Sequence, residues 1–296
     1  MENITFDSQL PTEARRKYIL QNLLDRYKFV EKISLAKSLT GRDIYALQIG
    51  SKDNSILFTA AYHGMEWLTS LLLFRFVYDL CEKVEREKEY RYLIKKRGVT
   101  VVPCVNPDGV EISLVGPNAA GKYKSLVEKI GETESWQANA RGVDINHNFN
   151  AAWENLHKRE IKMNIIGPGR TRFGGKTPES EPETRAITNL CRNRYFEYAL
   201  ALHSQGEEIY WDYENKTPAV SKQMAGIMAE ISGYKVSRPE GLAVGGGFKD
   251  WFIDEINRPA FTIEVGKGKN PLPISDLNPV YNKIKDVLFF LTKFKS

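Results

Sequence analysis

His63 and Glu66 stand three residues apart in "LFTAAYHGMEWLTSLLLF", where an apolar run ends and a helix-like run begins. In α/β sheets ligands collect beyond the carboxyl ends of strands, and His63 follows the strand expected over Ile56–Ala60. A gap of three across a tight turn aims both side chains at one point. An imidazole and a carboxylate meeting there can hold Zn²⁺, which takes a third protein ligand and keeps one position open for water. A carboxylate at a helix start also satisfies the helix dipole with no metal. The pair alone leaves both readings open.

A third ligand should be another histidine, and the chain has His147, His157 and His203 besides His63. His203 closes the strand-like run "YALALH", the same strand-end position as His63. His157, in the polar stretch "AWENLHKRE", reads as a surface residue. The two strand-end histidines pair best, which favours the metal. Glu264, in "RPAFTIEVGKG", is then the candidate proton acceptor. A glutamate in an apolar strand is costly to bury without a partner or a task, although a structural ion pair would explain it too.

These side chains must be held by a scaffold of alternating runs. Helix-like segments cover Pro11–Tyr27, Glu66–Val84, Glu181–Arg194, Pro218–Ser232, Gly247–Asn257 and Asp276–Lys293. Strand-like segments cover Asp43–Ile49, Ile56–Ala60, Val99–Cys104, Tyr198–Leu202 and Ala260–Val265. The alternation predicts a single α/β domain over residues 1–296. Pro103 ends one strand and "NPDG", Asn106–Gly109, signals a turn. Val115–Asn139 and Ile165–Pro178 lack periodicity and are expected to be loops, candidates for a lid over the site.

Composition narrows the class. Hydrophobic residues make up 42% and charged residues 27%, as in ordinary soluble proteins. A net charge of +5 suits acidic substrates and gives no argument for a nucleic-acid partner. No run is long enough to span a membrane, and the first twenty residues lack the apolar core of a signal peptide. Cys81, Cys104 and Cys191 are odd in number and scattered, which fits a reducing compartment. The expectation is a cytoplasmic protein with no membrane or nucleic-acid partner.

The motifs in order, "SLTGRDIYALQIG", "HGMEW", "NPDG", "RGVDINHNF", "SEPETRA", "LHSQ" and "FTIEVG", resemble the zinc carboxypeptidase superfamily from about Ser38 to Lys269. The resemblance implies a mixed, twisted sheet of about eight strands with helices on both faces. It implies one Zn²⁺ per chain held by His63, Glu66 and His203, with Glu264 as general base and later acid. It implies that Asp144 fixes the tautomer of His63 and raises its basicity.

The departures from that family are informative. Digestive carboxypeptidases carry Asn-Arg where this chain has Asn146–His147, and a neutral imidazole cannot grip a carboxylate in the fork a guanidinium offers. Their oxyanion arginine follows a tryptophan; here Gln137 follows Trp136. Arg141 is the best substitute, unless it only caps the turn before Asp144. Leu242 falls where carboxypeptidases have a mobile tyrosine. Lys249 falls at the base of the specificity pocket, where it would favour an acidic substrate group, or else it is a solvated lysine on a helix face. "LHSQGEEIYW", "GGGFKDWF" and "FTIEVGKGKNPLP" resemble the bacterial γ-D-glutamyl-L-diamino acid endopeptidases, whose substrates are peptidoglycan stem peptides. The competing expectations are a zinc carboxypeptidase on ordinary peptides, a zinc amidohydrolase of acyl-amino acids, and a metal-free binding module that keeps the fold.

Overall fold

The computed structural model describes residues 4–295. Positions 1–3 and 296, which the single-domain and N-terminal readings include, lie outside the described residues. Strands β1 to β8 cover Val30–Lys37, Asp43–Ile49, Ser55–Ala60, Gly98–Val102, Phe196–His203, Glu208–Tyr210, Lys235–Ser237 and Ala260–Glu264. Helices α1 to α5 cover Glu13–Arg26, Leu68–Arg86, Lys88–Lys96, Pro107–Val115 and Lys124–Ile130. Helices α6 to α10 cover Trp153–Lys162, Pro182–Asn193, Val220–Ser232, Phe248–Trp251 and Leu277–Lys293.

One eight-stranded sheet runs in the order β1-β2-β4-β3-β5-β8-β6-β7. Its centre, β4-β3-β5-β8, is parallel, and antiparallel pairs flank it. The central strands are buried along almost their whole length, with only Glu197 and Glu264 half-buried, so they read as largely apolar runs rather than alternations. Their side chains still alternate between two cores. Phe58, Tyr198, Leu200 and Phe261 pack with α1, α2, α8 and α10 on one face. Leu57, Phe196, Ala199 and Ala260 pack with α7 and α9 on the other. Each fully buried Leu or Phe contributes on the order of 1.5–3 kcal/mol, so both faces are fixed by burial and register is strongly specified.

Several elements differ from expectation for physical reasons. "NPDG" is not a free turn: Asn106 caps α4 by accepting from the Gly109 N–H, with Pro107 at the first helical position. The helix expected from Glu66 begins at Leu68, preceded by a 3₁₀ turn over Gly64–Glu66. Val115–Asn139 is not a loop. It holds α5 and its own small core, with Ala120, Val127 and Trp136 buried. Strand β1 is a charged edge strand, and β6 and β7 have three residues each. None of those three carries an apolar alternation.

Candidate metal centre

The parallel strands β3, β5 and β8 lie side by side and end at the same edge of the sheet. His63 follows β3, His203 ends β5 and Glu264 ends β8. The turn carrying His63 and Glu66 is clamped from below. The Met65 N–H donates to the Trp136 carbonyl at 2.7 Å, and the Gly64 N–H donates to the Gln137 carbonyl at 3.1 Å. The Asn106 amide donates to the Tyr62 and Ala138 carbonyls at 2.9 and 3.1 Å. A Cβ on Gly64 would lie 2.2 Å from the Gly109 carbonyl oxygen, so the close approach requires glycine.

The result is a convergent triad. His63 Nδ1 lies 2.7 Å from Glu66 Oε1, and His203 Nδ1 lies 3.0 Å from Glu66 Oε2. One ligand atom from each of the three residues falls within 4.8 Å of the others. Glu66 and His203 are buried, and His203 stacks on Tyr62 with ring centroids 5.3 Å apart. Two imidazole nitrogens and a carboxylate oxygen are the donors Zn²⁺ takes in hydrolytic sites.

The electrostatics match that geometry. Burial opposes the charged forms, but Glu66 and Asp144 outweigh it and raise His63 well above its ordinary value. Burial opposes ionisation of Glu66 too, yet His63 and His203 hold its carboxyl below the usual range. Asp144 Oδ1 lies 3.2 Å from His63 Nε2. Its oxygens also accept the Asn146 N–H at 3.1 Å and the Arg172 N–H at 2.8 Å. Glu264 is the opposite case: burial, then the Glu66 carboxylate, push it well above the usual range.

The triad opens into a cavity of about 300 Å³. His63, His203, Asp144, Asn146, His147, Lys249 and Glu264 all line it. Arg141 does not. Its guanidinium forms a fork with Glu181, Nε to Oε2 at 2.8 Å and Nη2 to Oε1 at 2.7 Å, and donates to the Ser180 carbonyl. The guanidinium expected to serve the oxyanion is thus paired with the buried Glu181 carboxylate and lies off the cavity wall. Lys249 lines the cavity wall from a buried position. It is only 6% exposed, so it is not a solvated lysine. Its ammonium pairs with Asp250 and donates to the Asp212 carbonyl at 2.7 Å.

The sequence reading missed Arg172, on the segment expected to be a lid. Arg172 lines the cavity, is exposed, and its side chain makes no hydrogen bond or ion pair among the described residues. Its left-handed backbone, φ 66°, directs its N–H at Asp144. The arginine-rich "GRTRFGG" was the available signal, but two arginines in Ile165–Pro178, Arg170 and Arg172, do not show which one turns inward.

A mixed sheet carrying a His-Glu-His group at the carboxyl edge of its parallel strands defines a single-zinc hydrolase. The zinc carboxypeptidase family model matches residues 17–286, and the chain belongs to that family. It is a zinc metallopeptidase. It is 34% identical over 273 residues to gamma-D-glutamyl-L-diamino acid endopeptidase 1 of Lysinibacillus sphaericus, covering 89% of this chain and 67% of the relative. The structure of thrombin activatable fibrinolysis inhibitor superposes with a TM-score of 0.76 at 20% identity, covering 97% of this chain and 74% of that one. Murein-tripeptide amidase MpaA from Escherichia coli O157 superposes with a TM-score of 0.54 at 20% identity, covering 90% and 92%. Both structures share the fold.

Proposed function

We propose that the protein hydrolyses the γ-D-glutamyl–diaminopimelate amide bond of peptidoglycan stem peptides. The observation that carries this reading is the cavity wall. Arg172 is its guanidinium without a side-chain partner among the described residues, and Asn146 and His147, which the resemblance aligns with the Asn-Arg clamp of digestive carboxypeptidases, line the same wall. Such stem peptides bear extra carboxylates around the scissile bond, and a guanidinium recognises a carboxylate in a two-pronged fork. The endopeptidase name of the 34%-identical relative supports the same substrate class.

His63, Glu66 and His203 would hold the zinc, which supplies Lewis-acid polarisation of the scissile carbonyl. Asp144 holds the His63 ring through Nε2 and leaves Nδ1 facing the metal position. Glu264 takes a proton from the attacking water and returns it to the leaving amine. Arg172 draws the acidic peptide into the cavity. The three cysteines are buried and unpaired, which supports a cytoplasmic site of action on released muropeptides. Among the described residues, no helix is long and apolar enough to cross a membrane.

The test compares an L-alanyl-γ-D-glutamyl-diaminopimelate peptide with a hippuryl-amino acid. Cleavage of the former at the γ-glutamyl bond, with the latter inert, supports the reading. Preference for the hippuryl substrate overturns it in favour of an ordinary carboxypeptidase.

A further inference from the structure

Glu160, on α6, is fully buried beside the cavity and belongs to no part of the machinery described above. Three donors surround its carboxylate. His147 Nδ1 lies 2.8 Å from Oε1, His157 Nδ1 lies 3.2 Å from Oε2, and the Gly174 N–H donates to Oε2 at 3.2 Å. The cradle is tight: a Cβ on Gly174 would lie 2.5 Å from the His147 carbonyl oxygen and 3.1 Å from Glu160 Oε1. His157 is held further by stacking on Trp153, with ring centroids 4.7 Å apart.

A carboxylate only accepts hydrogen bonds, so it fixes the proton of each neutral imidazole on Nδ1. For His147, a cavity residue, this leaves Nε2 as a lone pair with no protein partner among the described residues. A lone pair attracts an N–H and repels a carboxylate.

We propose that Glu160 is a positioning residue that makes His147 a hydrogen-bond acceptor in the substrate cavity. The ligand group it selects is an amide or ammonium N–H, in place of a free terminal carboxylate. Resting on the stem-peptide reading, this makes the enzyme prefer a diamino acid whose carboxyl continues into an amide. It acts within a longer peptide rather than at a free end.

Two measurements test this in the full chain with zinc bound. The first is the ¹⁵N spectrum of the histidine rings at about pH 8, above the ordinary imidazole range. The expected result is His147 protonated on Nδ1 and bare on Nε2, with that tautomer lost in Glu160→Gln. A His147 ring carrying its proton on Nε2, or one indifferent to Glu160→Gln, overturns the proposal. The second compares two γ-D-glutamyl-diaminopimelate peptides that differ only in a free carboxylate or a carboxamide on the diamino acid. One gained hydrogen bond and one avoided repulsion predict about a tenfold preference for the carboxamide, carried by KM. His147→Arg is expected to reverse that preference. A wild-type preference for the free acid, or one unchanged in His147→Arg, overturns the proposal. If neither peptide is cut, the stem-peptide reading fails, and the ring tautomer alone decides this one.

Discussion

His203 and Glu264 are register partners on the adjacent parallel strands β5 and β8. Paired residues on neighbouring strands point to the same face of a sheet. The ladder bond from the Val265 N–H to the His203 carbonyl, 2.8 Å, locks that register. The sheet itself thus sets a metal-ligand candidate beside an acid–base candidate. No loop is needed to align them, and a constellation built on strands is held more rigidly than one built on loops.

Glu264→Gln should retain one zinc per chain and lose turnover by about 10²–10⁴, the usual contribution of a general base. Metal content and single-turnover hydrolysis measure both halves. Normal turnover in that variant would remove Glu264 from the chemistry.

Arg141→Ala and Arg172→Ala should behave oppositely. Arg141 is forked onto buried Glu181, so its loss should lower stability by roughly 1–3 kcal/mol, allowing for its partly exposed guanidinium. Its kcat/KM should hold. Arg172→Ala should melt normally and raise KM for an acidic peptide by about tenfold or more, the worth of one charge-assisted hydrogen bond. Paired denaturant melts and steady-state kinetics decide; a catalytic defect in Arg141→Ala would restore the oxyanion role.

Lys249→Ala should unfold more readily than it loses substrate affinity. The ammonium neutralises buried Asp250, and removing one partner leaves an uncompensated charge inside the protein. An unchanged melt with a raised KM would mean that Lys249 reaches the substrate after all.

Glu183 gives a pH signature unconnected with zinc. Burial, then the neighbouring Asp108 and Glu181 carboxylates, push its carboxyl up to about 8. The folded protein therefore keeps a proton that the unfolded chain releases near its ordinary value of about 4.3. That contribution is full below the unfolded value and is lost as pH rises through about 8. Glu183→Gln carries no such proton. Wild type should lose stability relative to this variant by at least about 1 kcal/mol between pH ~5 and pH ~9. A difference that stays flat across that range would contradict the assignment.

The central strands were legible in the sequence because near-complete burial makes them largely apolar runs. Their ends also advertised His63, His203 and Glu264. Strand β1 was hidden because an edge strand can carry "VEKISLAK" without penalty. Helix α4 was hidden because asparagine before proline reads equally as a turn and as a cap. Glu160 illustrates the limit of spacing. "His157-x-x-Glu160" repeats the interval of His63 and Glu66, yet one pair lies on a helix and the other spans a turn. Local spacing could not show that Glu160 also reaches His147. Nor could it show that Arg141 turns to Glu181, forty residues on, while Arg172 turns to the cavity.

Anomalous scattering at the zinc edge, from crystals of the full chain grown with equimolar zinc, tests the central claim most directly. One peak should appear about 2.0–2.2 Å from the Nδ1 atoms of His63 and His203 and a carboxylate oxygen of Glu66. It should vanish in His203→Ala while the sheet persists. A peak bound by other residues, or density showing the three side chains intact with no ion between them, would contradict it.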